Sequence, residues 1–170
     1  MHAVILLAGP SLANLDTRPE ADVLIGVKRA ALRFPCDWCV VLDHPDLKSD
    51  WFANVTAPLL LTRREYRPAY TMRDGTDCET LYGLLPHMPT KWACFSSSAA
   101  LVLAAHLGAE TVTAYGADFG ESDTLAEFDG YESREKNYTP HRWQFERECW
   151  NATATALGLQ VTRHGLARRS

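Results

Sequence analysis

Three serines in a row, Ser96 to Ser98, stand directly before the apolar run ALVLAAHLG. One hydroxyl is enough to cap a helix. Three small hydroxyls at a helix start also suit an anion, because the first-turn amides lack acceptors, the dipole is positive there, and serine adds donors without bulk. The segment AGPSL, residues 8–12, follows a second apolar run. Gly9 permits close backbone approach, Pro10 presets φ for a first turn, and Ser11 can cap or donate to an anion. The segment matches neither the dinucleotide fingerprint nor the P-loop, so a plain strand-to-helix turn is the competing reading. Asp118 in GADF and Asp43 in VLDHPD both follow apolar runs. Each suits a ribose hydroxyl or a helix cap, and together they could hold a magnesium ion. Pro140 and His141 open a long helical segment, and a histidine at a helix N-terminus is placed for proton transfer as a neutral base. A solvated surface histidine is the alternative there. His44, in DHPD, is the second candidate base, and His106, inside the apolar helix, reads as structural.

The elements that must position these residues are legible as recurring runs of about five apolar residues: 4–8, 23–27, 39–43, 58–62, 111–115 and 159–163. Helical stretches at 97–107, ended by Gly108, and at 141–157 separate the later ones, and the basic turn KRAALRF follows the second. Short buried strands alternating with helices predict an α/β fold: a single doubly wound, mostly parallel Rossmann-like sheet with helices on both faces. Ligands of such sheets bind at the carboxyl ends of the strands. That places Gly9 to Ser11, Lys28, Asp43 with His44, and Asp118 on one edge. Residues 63–93, with Pro68, Gly75, Pro86 and Pro89 and weak periodicity, read as a loop with short helices. Residues 119–139, polar and acidic, are long for a connector and read as a lid.

With 170 residues the chain predicts one domain, 1–170, with a real core. A net charge of −4 argues against a general nucleic-acid binder. No run approaches the roughly 20 apolar residues of a membrane span, and MHAVILLAGP lacks the basic start of a signal peptide. Five cysteines, an odd number, fit a reducing compartment, so the expected location is cytoplasmic. Cys36 and Cys39 form a C-x-x-C, but it leads into an apolar strand and lacks a second ligand pair, so buried thiols are expected.

Taken together, GPSL after a strand, DHP after strand three, the serine-led SSSAALVLAAHLGA, GADF and the helix led by Pro140–His141 resemble a family. The pattern is similar to the bacterial sialyltransferases that use CMP-sialic acid. It is also similar to the wider group with motility-associated glycosyltransferases and archaeal 6-hydroxymethylpterin diphosphokinases, and to small phage-encoded proteins of this length. The resemblance implies a nucleotide or nucleotide-sugar donor, with Gly9, Pro10 and Ser11 as the nucleotide-binding turn. Ser96, with Ser97, would contact the phosphate, Asp118 would be the aspartate of the family's G-x-D, and His141 the general base on the acceptor hydroxyl. No cofactor is then required. The chain departs from the family at Ala8, Lys28 and His44, where asparagines are expected, and at Gly120, where a lid tyrosine is expected, with Tyr131 and Tyr138 nearby. Lys28 could supply a charged phosphate contact in place of a neutral one. Two alternatives follow: a magnesium-dependent pyrophosphokinase with Asp43 and Asp118 as ligands, or a non-catalytic binding or structural module.

Overall fold

The computed structural model describes residues 1–43, 48–62, 95–121, 126–131 and 140–164. Six strands form one sheet: β1 (His2–Leu6), β2 (Val23–Val27), β3 (Trp38–Val40), β4 (Leu59–Leu61), β5 (Thr111–Tyr115) and β6 (Gln160–His164). Their order is β4-β3-β2-β1-β5-β6, and every pairing is parallel. The expected strands are all present, mostly displaced by a residue or two. The first apolar run outlasts its strand because Leu7 and Gly9 carry the ladder past Leu6, donating to Tyr115 O (2.8 Å) and Gly116 O (3.1 Å).

Burial on both faces explains the unbroken apolar runs. Along β1, Ala3, Ile5 and Leu7 face one core and Val4 and Leu6 the other; β3 divides its residues likewise, with Trp38 and Val40 against Cys39. The first face is covered by two α-helices, α1 (Ser96–His106) and α2 (Pro140–Leu157). The opposite face is covered by three 3-10 turns, Pro10–Asn14, Lys28–Leu32 and Asp50–Asn54. Among the described residues the long helices thus lie on one side and single turns on the other.

Helix α1 is buried along Ser96–Ala104, as a helix apolar on every side must be. Each buried Leu or Val there contributes roughly 1.5–3 kcal/mol. It stops where expected: Gly108 has φ +96°, its amide donates to Ala105 O (3.0 Å), and that of Ala109 donates to Ala104 O (2.9 Å), a Schellman ending. Cys36 and Cys39 are buried thiols, and Cys36 donates to Phe34 O at 3.3 Å. Burial, helped by the charge of Asp37, pushes the Cys36 thiol up to about 12, which keeps it protonated and inert.

The chain runs from β1 outward to β4, then returns to place β5 on the other side of β1. The strand order therefore reverses between β1 and β5, and a crevice opens there at the carboxyl ends.

Candidate functional site

Two glycines let the backbones meet at that reversal. A Cβ on Gly9 would lie 2.3 Å from both Gly116 O and Asp118 Oδ2; one on Gly116, at φ +71°, would lie 2.0 Å from Leu7 O. No side chain fits at either position, so the turn after β1 lies directly on the turn after β5. Asp118 fastens them. It is 1% exposed, and its Oδ2 accepts the Ser11 amide at 2.8 Å. The aspartate of GADF thus works as a clamp on the GPSL turn, holding Pro10–Asn14 in one 3-10 turn.

A cleft opens beside this clamp, with about 910 Å³ of empty space including its open mouth. Gly9, Pro10, Lys28, Asp43, Ser96, Ser97 and Asp118, seven of the residues singled out from the sequence, all line it. Ser11 is not part of the lining and acts through its amide on Asp118. His44 lies outside the described residues. His141 is the second residue of α2, as expected, but its side chain also lies outside them, as do residues 63–94 and Tyr138.

The three serines have three different situations, and none caps the helix. Phe95 holds the N-cap position with no side-chain cap, and its carbonyl accepts the Ala99 amide at 3.1 Å. Ser96 Oγ accepts the Leu42 amide at 3.3 Å, tying the end of β3 to α1. Ser97 Oγ donates to Glu146 Oε1 at 2.8 Å, tying α1 to α2. Ser98 Oγ is buried with no hydrogen-bond partner among the described residues, as is Ser11 Oγ. Ser96 and Ser97 line the cleft, so the first turn of α1, whose amides have no acceptor inside a helix, borders it.

The charges are mixed. Lys28 pairs with Asp43, joining the ends of β2 and β3. Lys28 (φ +51°) and Phe119 (φ +43°) are the two non-glycine residues with positive φ among those described, and both line the cleft. Backbone strain of this kind persists where surrounding structure over-determines it, commonly at ligand sites. Among the described residues no group of three or more His, Cys, Asp or Glu gathers as a metal would need. Asp43 is engaged by an ammonium and Asp118 by an amide.

Among the cleft residues that escaped the sequence reading, three come from one helix. Arg142, Trp143 and Glu146 line the cleft from α2. The Trp143 indole lies against the backbone of Gly120, where a Cβ would come within 2.4 Å of Trp143 Cγ. The i, i+4 spacing of Arg142 and Glu146 and the i, i+3 spacing of Trp143 and Glu146 were the available signal, hidden in a segment that reads as an ordinary charged helix. Part of the expected lid is anchored. Phe128 N–H donates to Ala8 O (3.1 Å); Arg29 pairs with Glu127 (3.1 Å) and Asp129 and stacks 4.2 Å above Tyr131. At the start of the same stretch, Glu121 accepts from Arg147 and Arg163, each at 2.9 Å. Burial works against ionisation of Glu121, but those hydrogen bonds and charges outweigh it and hold the carboxyl below its usual range.

No family model matches the sequence, and no curated protein matches it significantly. Solved structures do. The chain aligns with the sialyltransferase CST-II in complex with trisaccharide acceptor and CMP at a TM-score of 0.63 and 11% identity, over 96% of this chain and 80% of that one. A tyrosine-to-phenylalanine variant of CST-II in complex with CMP gives 0.62 at 10% identity, covering 95% and 80%. A phenylalanine-to-tyrosine mutant of the alpha-2,3/8-sialyltransferase CstII gives 0.55 at 10% identity, covering 96% and 81%. The likeness is one of fold: this chain has a sialyltransferase-like α/β fold. The matches speak to the sialyltransferase part of the resemblance, not to its phage-encoded or pterin-diphosphokinase members. No helix among the described residues is long and apolar enough to cross a membrane.

Proposed function

We propose that the chain is a small nucleotide-sugar-dependent glycosyltransferase. One observation carries the reading. Residues scattered from Gly9 to Asp118, picked out from the sequence as nucleotide contacts, line a single cleft at the strand-order reversal of a sialyltransferase-like fold. The donor phosphate rests on the first-turn amides of α1 at Ser96 and Ser97 and against the 9–11 turn, where dipole and amides favour an anion. Ser96 Oγ accepts from Leu42, so its own proton remains able to point at a phosphate oxygen. Lys28 and Arg142, both on the cleft wall, offset the phosphate charge.

In the transfer step the acceptor oxygen attacks the anomeric carbon of the donor sugar while His141 takes the hydroxyl proton. The bond from that carbon to the phosphate oxygen breaks, and its electron pair leaves on the nucleotide. Donors fixed at the phosphate before the reaction stabilise that developing charge without reorganisation.

No metal enters this scheme. In the magnesium-dependent alternative, Asp43 and Asp118 would be the ligands. Titration calorimetry with CMP, UDP and GDP, with and without EDTA, tests the proposal. It expects binding of at least one nucleotide, unchanged by EDTA. No binding at millimolar concentration would refute it, and binding abolished by EDTA would move the reading to the magnesium-dependent class.

A further inference from the structure

The cleft contains an acidic group of its own at the phosphate seat. Glu146, in the second turn of α2, accepts from Ser97 in the first turn of α1. Charged groups face it from several elements: Lys28 from the turn after β2, Asp43 from the end of β3, and Arg142 from its own helix. Asp118 and Glu127 line the same cleft from the segments after β5. Among the described residues the lining carries four carboxyl groups, Asp43, Asp118, Glu127 and Glu146, against two cations, Lys28 and Arg142, with Glu127 paired to Arg29 from outside the lining.

A phosphate added to this lining increases an excess of negative charge and approaches the helix turn that Glu146 already occupies. Two anions sharing one turn repel, and the acid that gives way is the one least costly to neutralise. Asp43 contacts the Lys28 ammonium and Asp118 accepts the Ser11 amide, whereas among the described residues Glu146 accepts only from the Ser97 hydroxyl, on the helix turn the phosphate approaches. Burial pushes the Glu146 carboxyl up from its ordinary range; the Ser97 hydrogen bond and the charges of Lys28 and Arg142 pull it back, Asp43 adds to the rise, and the net direction is upward.

We infer that an anion bound in this cleft is taken up together with a proton on Glu146, which makes Glu146 the residue that sets the pH dependence of donor binding. The inference rests on reading the cleft as a phosphate site. The proton comes from solvent to a Glu146 carboxyl oxygen, and the neutral acid can then donate to a phosphate oxygen instead of repelling it.

The test is calorimetric titration of CMP into wild type and Glu146→Gln at about pH 6 and about pH 8, in two buffers of different ionisation enthalpy. The phosphate of CMP itself titrates near pH 6, but equally for both proteins, so the difference between them belongs to Glu146. The expected result is greater proton uptake by wild type than by the variant. Glu146→Gln should also bind CMP at least about fivefold more tightly than wild type near pH 8, with the gap closing near pH 6. Equal proton uptake with parallel affinity profiles, or weaker binding by Glu146→Gln at both values, overturns the inference. Failure of both proteins to bind any of CMP, UDP and GDP overturns the phosphate-site reading instead, and the inference falls with it. Should Glu146→Gln not fold, sulfate, which does not titrate in this range, serves with wild type alone. It should protect the fold against heat more near pH 6 than near pH 8, and equal protection overturns the inference.

Discussion

Replacing Gly9 with alanine adds a single methyl group at the most crowded point of the fold. Gly9 has φ −60° and ψ 155°, which alanine adopts without strain, so any effect is steric. The new Cβ would lie 2.3 Å from Gly116 O and from Asp118 Oδ2, over 1 Å inside ordinary contact distance. Gly116 is itself closely backed by β1, since a Cβ there would lie 2.0 Å from Leu7 O. Asp118 can retreat only by giving up the Ser11 amide. Overpacking costs about 1–3 kcal/mol, and a buried hydrogen bond to a charged group about 1.5–3 kcal/mol. Since the structure can relax by one route or the other, about 2–4 kcal/mol is expected. For a chain of this size that lowers Tm by about 10 °C. Gly130→Ala is the control. Gly130 has φ +80° with nothing within 4 Å of its Cβ position, so only the left-handed strain of about 1–2 kcal/mol applies. Thermal denaturation followed by circular dichroism measures both. A Gly9→Ala melt within about 2 °C of wild type, or no larger loss than Gly130→Ala, would refute the clamp at the strand-order reversal.

Ser96→Ala should weaken nucleotide binding by about 1–2 kcal/mol, the scale of a hydrogen bond to a charged group, whereas His141→Ala should leave binding nearly intact and cut turnover by roughly a hundredfold or more. The reverse pattern in calorimetry and turnover assays would place the anion seat on α2. Glu121, with its carboxyl held low, contributes stability that is present above the unfolded-state value of about 4.3 and is lost as pH falls through the lower folded value. Melts of Glu121→Gln should therefore fall below wild type near neutrality and converge with it in strong acid. Cys36, pushed up to about 12, should resist alkylation by iodoacetamide in the folded protein near neutral pH and react on unfolding, as read by mass spectrometry.

Sheet and cleft were legible in the sequence to different depths. Strands buried on both faces leave unbroken apolar runs, and these located β1 to β4, whereas β5 and β6, less buried, were legible as short runs that follow helices. Their edges were misplaced because burial outlasts the ladder: Val41 and Leu42 remain buried past the end of β3. The cleft lining was legible wherever a residue stands directly after a strand, since topology alone carries that edge to the crevice. Individual duties were not legible. Nothing local shows that Asp118 clamps Ser11, 107 positions away, or that Ser97 bonds to Glu146, 49 positions on. Glu146 and Trp143 were missed for the same reason, since a helix face turns towards a cleft only once its packing partner is known. The clamp of Arg29 on Glu127 and Asp129 likewise exists only in three dimensions.

The central claim is that α1 opens at a phosphate seat, and amide chemical shifts test it most directly. In a 15N-labelled sample titrated with CMP and UDP, the largest shifts should fall on the amides of Ser96 and Ser97, with Gly9 and Ser11 next and the amino ends of the strands unmoved. Saturating nucleotide that leaves Ser96 and Ser97 in place, or that moves amides away from the crevice between β1 and β5, would contradict the account.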